Sequence, residues 1–194
     1  MKYKDKNIKI ESDSITIYDT DRPAQALTNV FNPVKNSLIA QSQGLINRVT
    51  GILHEYNEPI NFGIADVRLH CLMPILIYSR PPLEDEYFSL SNNLVIQDNQ
   101  LAKDLLVGAG VKFYSESKLL LDGIFSNNKF STLVFQINDE ETIYTAIDKL
   151  STRKGMLFIH NPEYKNTTPI MKYCLDRNLH LIENLDGSAE ILRF

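Results

Sequence analysis

Apolar and polar residues alternate at the start of the chain: Ile8 and Ile10, then Ile15 and Ile17, with Ser12-Asp13-Ser14 between them. A period of two with a polar break predicts a short hairpin or two edge strands. Asp21-Arg22-Pro23 then sets an acidic cap candidate ahead of a proline, so a short helix is expected to run to Phe31, and Asn32-Pro33 restarts the chain. Over residues 34–56 the rhythm changes to steps of three and four. Leu38, Leu45, Ile46, Val49, Ile52, Leu53 and Tyr56 then share one face of a long amphipathic helix. Gly44 and Gly51 lie inside it, each at a cost of about 1 kcal/mol against alanine, a cost that close packing would explain. A helix of this length either backs the core of one copy or pairs with a second.

Two strands are expected over residues 62–71 and 72–79. They are broken at Pro74, which cannot donate to a sheet ladder and so marks a bulge or an edge. Arg80-Pro81-Pro82-Leu83-Glu84-Asp85-Glu86 is the clearest loop in the chain, and a subdomain boundary near residues 80–92 is expected there if one exists. Beyond it the pattern is regular. Leu94-Val95-Ile96 leads into a helix over 98–107, Val111 to Tyr114 into a helix over 117–125, and Leu133 to Ile137 into a third. Asn138 and Glu141 have the spacing of a capping box for that third helix. Ile143, Ala146, Ile147 and Leu150 form its buried face, Arg153 and Lys154 suit its C-terminal end, and Gly155 is expected to close it. Met156 to Ile159 is a further strand, Thr168-Pro169 opens a helix, Asn178 is a left-handed stop, and Leu181-Ile182 and residues 189–194 supply the last strands. Short apolar runs flanked by helices are what strands covered on both faces look like. The fold class predicted is therefore α/β, a single domain over 1–194. Its sheet is mostly parallel and built from successive βα units in the C-terminal half, preceded by a hairpin, a long helix and a strand pair.

At 194 residues, 43% of them hydrophobic and 23% charged, the chain is ordinary enough for folding to be the default expectation. Its N-terminus is basic without an apolar run behind it, which argues against a secretory signal, and no apolar stretch is long enough to span a membrane. Cys71 and Cys174 are too few and too far apart for a disulfide framework or a zinc site, so a reducing, cytoplasmic setting is expected. A net charge of −4 with no basic stripe makes nucleic acid an unexpected partner.

Phosphate-binding glycine loops, nucleophile elbows, H-E-x-x-H and paired C-x-x-C motifs are all missing. Gly108-Ala109-Gly110 follows a helix and precedes a strand, the wrong order for a phosphate cradle and the right one for a helix stop. His54 and Glu58 have metal-ligand spacing without a third partner, so no metal and no cofactor is expected.

Two groups of residues are candidates for ligand binding. Strand alternation puts Asp66, Arg68 and His70 on one face, where a carboxylate, a guanidinium and an imidazole suit an anion or a proton transfer; a solvated outer face explains them equally. In open α/β sheets, ligands bind beyond the carboxyl ends of the strands. That rule points to Gln97, Asp98 and Asn99, to Ser115 and Ser117, to Asn138 and Asp139, and to His160 with Asn161, residues that also make good caps and turns.

Leu94 to Asn99, followed by a helix, a glycine and the strand at Val111, resembles the opening of a response-regulator receiver domain over about a third of the chain. Such a domain implies a phosphoacceptor aspartate after its third strand, where this chain has Gln136-Ile137-Asn138. It also implies an acidic pair after its first strand, where Asp98 stands alone. Phosphotransfer is not implied. Without an assembled catalytic set, the function expected first is a non-catalytic binding or adaptor module whose partner is another protein or a second copy of itself. The alternative is a small enzyme or sensor that takes a nucleotide-like or anionic ligand at the strand ends.

Overall fold

The central strands send alternate side chains into two separate cores, and this division organises the molecule. The computed structural model describes residues 2–3, 6–10, 15–19, 22–26, 43–65, 73, 76–77, 80–81, 83–90, 107, 110–183 and 189–193. In chain order the elements are β1 (Lys2–Tyr3), β2 (Lys6–Ile10), β3 (Ile15–Asp19), β4 (Arg22–Ala26), α1 (Gln43–Glu55), β5 (Ile60–Ile64) and β6 (Glu86–Leu90). They continue with β7 (Lys112–Tyr114), α2 (Ser117–Ile124), β8 (Phe130–Gln136), α3 (Glu140–Leu150), β9 (Gly155–His160), α4 (Thr168–Leu175), β10 (His180–Glu183) and β11 (Ala189–Arg193).

The first four strands form an antiparallel sheet in the order β1-β2-β3-β4. The remaining seven form a second sheet in the order β10-β11-β9-β8-β5-β6-β7. Within it β9, β8, β5, β6 and β7 are mutually parallel, while β11 runs antiparallel to both β9 and β10. That order has β5 near its centre and an antiparallel pair at one edge. It is not the flavodoxin-like order of receiver domains, so the likeness to them ends at the sheet.

Phe62, Ile64, Val134, Met156 and Phe158 point to one face, against Leu45, Val49 and Leu53 of α1 and the helical residues Met73, Leu76 and Ile77. Leu133, Phe135, Leu157 and Ile159 point to the other, against Leu120, Leu121 and Ile124 of α2, Ile143, Ala146, Ile147 and Leu150 of α3, and Ile170 and Cys174 of α4. The result is a three-layer α/β/α arrangement. Burial on both sides is why β5 and β9 are buried along their whole length, and why β9 reads as an apolar run from Met156 to Ile159. Among the described residues, no helix is long and apolar enough to cross a membrane.

Several local expectations are corrected. Residues 22–26 are the edge strand β4, not a helix. Pro23 is tolerated there because an edge strand has a free side on which no N–H is needed. Met73, Leu76 and Ile77 are helical and buried, not part of a strand over 72–79; a short apolar run has no period by which to tell the two apart. The parallel strand β6 was not anticipated, because the acidic loop before it and Ser89 within it mask a buried run. The strand expected at 94–96, most of the helix expected over 98–107, and the first part of the long helix, 34–42, lie outside the described residues. A Cβ at Gly51 would meet nothing within 4 Å, so that glycine marks no close packing.

The third helix forms as expected, but its ends do not. Asp139 is its N-cap, with no side-chain cap bond, and Asn138 Oδ1 instead accepts a hydrogen bond from the Lys165 ammonium. At the other end the helix stops at Leu150, and Gly155 opens β9. Arg153 turns away from the helix to donate to the carbonyls of Phe125 and Asn127, the latter at 3.0 Å. Asn178 has the left-handed conformation expected of a stop, with φ 57°.

At the amino edge of the sheet, Glu86 gathers three donors. Its Oε1 accepts from Lys129 Nζ at 2.9 Å and from Asn127 Nδ2 at 3.0 Å, and its Oε2 accepts from Lys112 Nζ. The hydrogen bonds from Lys112 and then Lys129 hold its carboxyl below the usual glutamate range, against the opposing effect of partial burial. A carboxyl depressed in the folded state stabilises above its unfolded pKa and loses that contribution as pH falls through the folded one. Glu86→Gln is therefore expected to lower stability at neutral pH by on the order of 1 kcal/mol, with the gap to the parent closing on acidification. Urea unfolding across a pH series checks this; a gap that stays constant down to low pH would contradict it.

Candidate functional site

The feature that makes a site is the reversal of winding at β5. The helical residues between β5 and β6 pack on the face that α1 covers, whereas α2, α3 and α4, which precede β8, join it to β9 and follow β9 in the chain, pack on the opposite face. Adjacent connections therefore leave in opposite directions from the carboxyl ends of β5 and β8, which are paired from Ile60↔Phe130 to Ile64↔Val134. A crevice opens at such a point because no single helix covers both ends, and ligands of open α/β sheets bind there.

The described residues at this edge are Ala65, Gln136, Ile137, Asn138, His160 and Asn161. Ala65 N donates to Val134 O at 2.9 Å, which continues the β5–β8 ladder to its limit. Gln136 and His160 are partners in the parallel register of β8 and β9. They follow Val134 and Phe158 by two residues each, so both side chains lie on the face covered by α1. His160 is 2% exposed and Gln136 half-buried. An amide and an imidazole side by side where two apolar strands end can donate and accept hydrogen bonds in a largely dry setting.

The turn after β9 is built from its own side chains. Asn161 Oδ1 accepts from Lys165 N at 2.8 Å, Asn161 Nδ2 donates to Lys165 O at 3.0 Å, and Tyr164 N donates to Asn161 O at 3.1 Å. This closed loop places the Lys165 ammonium against Asn138, with Glu163 Oε2 3.4 Å away. Asn161, a predicted ligand residue, thus has a structural part as organiser of its loop. Beside it, Ser117 Oγ donates to Asp139 Oδ2 at 3.0 Å, which ties the start of α2 to the start of α3.

The structure separates residues that the sequence grouped together. Ser115 is exposed at the end of β7, the outer strand, four positions across the sheet from His160 on β9. At ~4.8 Å per strand that is roughly 19 Å, too far for one small ligand to touch both. His160 and Asn161 lie beside the switch point. Asp66, Arg68, His70, Asp98 and Asn99 lie outside the described residues. Gln136 was not singled out as a ligand residue; its signal was its place as the last residue of the β8 run. Cys174 is fully buried in the second core, and burial pushes its thiol up to about 11, so it is protonated at neutral pH and is no nucleophile. Among the described residues, no three of His, Cys, Asp and Glu gather as a metal site.

No family model matches the chain, and no curated protein matches it in sequence. Among solved structures it is similar to a SAM-dependent methyltransferase from Agrobacterium tumefaciens, with a TM-score of 0.52 and 7% identity over 99% of this chain and 71% of that one. It is also similar to precorrin-6y C5,15-methyltransferase from Geobacter metallireducens GS-15, with a TM-score of 0.47 and 11% identity over 75% of this chain and 84% of that one. The fold comparison rests on the Agrobacterium protein. At such low identity the architecture is shared while the residues of the edge are this chain's own.

The likeness corrects the function expected first. The chain has a fold that a SAM-dependent methyltransferase also has, against the expectation of a non-catalytic adaptor whose partners are other proteins or a second copy. The packing agrees, since Leu45, Val49 and Leu53 on the apolar face of α1, the helix suggested as a docking element, are wholly buried against the sheet.

Proposed function

We propose that the chain is a small enzyme or sensor that binds a small polar molecule beyond the carboxyl ends of β5 and β8, working as one α/β domain in the cytoplasm. The observation that carries this reading is the switch point between β5 and β8, beside which the buried or half-buried polar pair Gln136 and His160 ends β8 and β9. The fold shared with the Agrobacterium methyltransferase supports it, because that protein is named for a small-molecule cofactor. Asp66 and Arg68 follow β5 directly in the sequence and are the proposed polar contacts from that strand, with His70 beyond them. Asn138 and Lys165 border the same edge from the β8 side.

The test is thermal melting against a panel of nucleotides, sugar phosphates, amino acids, carboxylic acids and S-adenosyl compounds. A ligand present at about 100 times its dissociation constant stabilises by roughly 2.7 kcal/mol. In a chain of this size that is a rise of about 5–10 °C. Gln136→Ala is expected to keep the unliganded melting temperature close to that of the parent and to lose most of the rise. A panel in which nothing moves the melting temperature would sink the reading, as would a rise that Gln136→Ala leaves untouched.

A further inference from the structure

A cofactor with an adenosyl group is long, and in a doubly wound sheet it lies across the ends of two neighbouring strands. The physical requirements are a turn after the first strand whose backbone can approach the ligand, which glycine permits, and a carboxylate near the end of the second to take ribose hydroxyls. In this chain those strands are β5 and β6. Gly63 is the last glycine before Gly108, so the exit of β5, the connection to β6, β6 itself and the segment after it contain none. Gly63 is itself no cradle. It lies inside β5, and a Cβ there would come within 2.0 Å of Ile124 Cδ1 and 2.9 Å of Ile124 Cγ1, so its open space is already filled by α2. The sequence after β5 is Ala65-Asp66-Val67-Arg68-Leu69-His70, with side chains at every position. After β6 come Ser91-Asn92-Asn93, hydroxyl and amides in place of a carboxylate. The acidic residue of β6 is Glu86, at its opposite end and held by two lysines.

The residues present therefore do not fit the cofactor for which the similar fold is named. We infer that the strand-edge site does not hold an adenosyl cofactor, and that its ligand is a compact polar molecule without a nucleotide moiety, gripped by side chains in place of backbone amides. The inference rests on the strand-edge reading and narrows it: of the nucleotide-like and anionic ligands expected at the strand ends, only the compact kind remains. It concerns binding alone, and no chemical step is routed through an adenosyl group.

The experiment compares melting of the full chain with millimolar S-adenosylmethionine, S-adenosylhomocysteine, ATP and NAD against millimolar phosphate, sugar phosphates, amino acids and di- and tricarboxylates. Isothermal titration is then applied to any compound that raises the melting temperature. The expected result is no rise with the four adenosyl compounds and a rise with a member of the compact set, lost in Gln136→Ala. A rise with any adenosyl compound overturns the inference and leaves the strand-edge reading standing. If no compound of either set acts, the strand-edge reading is what fails, and the exclusion of adenosyl cofactors stands.

Discussion

Arg80→Ala is expected to cost about 3–5 kcal/mol of stability, because it leaves a buried carboxylate without its cation. Against the 5–15 kcal/mol that holds a typical domain together, that is at least about a fifth of the total. Arg80 and Asp85 have side chains 1% and 4% exposed, with Nε donating to Oδ2 at 2.8 Å and Nη2 to Oδ1 at 3.3 Å. The same guanidinium donates to Tyr56 O and Glu58 O, each at 3.1 Å, and to Leu53 O. Those carbonyls include ones that the end of α1 leaves without intrahelical partners. Asp85 in turn accepts from Ile60 N at 3.0 Å and Tyr87 OH at 3.2 Å. One planar fork thus joins the end of α1 to the entries of β5 and β6. Arg80→Lys should recover little, since an ammonium cannot reproduce five donors in a plane. The double variant Arg80→Met with Asp85→Leu should lose less than Arg80→Ala, as no charge is then left buried. Urea denaturation measures all three; a loss below about 1 kcal/mol for Arg80→Ala would mean that the pair is no more than a surface bridge in its energetics.

Gly155→Ala should be the second large effect, at about 1–3 kcal/mol or more. A Cβ at Gly155 would stand 2.3 Å from Ser131 O and 2.7 Å from Leu150 Cδ2. Ser131 is the register partner of Gly155, so the clash is with the backbone of β8 and cannot be relieved by turning a side chain. The two strands must part where they begin, at the end of the sheet opposite Gln136 and His160. Gly51→Ala is the matched control, because its Cβ meets nothing within 4 Å. In the interior of α1 it should gain up to about 1 kcal/mol. Thermal unfolding of the two variants side by side checks the contrast, and equal effects would refute the spatial account.

The legible parts of this fold are those where a local period is long enough to repeat. In α3, Ile143, Ala146, Ile147 and Leu150 were expected on one face and are all buried. The runs at Leu133 and Met156 were expected as buried strands and lie in the middle of the sheet. Short stretches were less legible. Met73, Leu76 and Ile77 were placed in a strand and are helical, because two apolar steps do not define a period. The ends of α3 were misassigned for a different reason. Asn138 and Arg153 have the right chemistry for caps, but Lys165 and the carbonyls of Phe125 and Asn127, distant in sequence, engage them instead.

The strand-end site divides in the same way. Along the sequence, Ser115 and His160 are equivalent, each a polar residue after an apolar run. In the sheet, one stands on the outer strand and the other beside the switch point. By itself the sequence determined that the chain is α/β, which faces of its helices are buried and that its strand ends carry polar residues, since burial of a side chain follows from its place in a local repeat. The tertiary structure alone decided the order β10-β11-β9-β8-β5-β6-β7, the antiparallel edge and therefore the place of the switch point. Pairing joins Asn61 to Glu86 on one side and to Ser131 on the other, and no repeat within any one of those segments encodes which neighbour it will find.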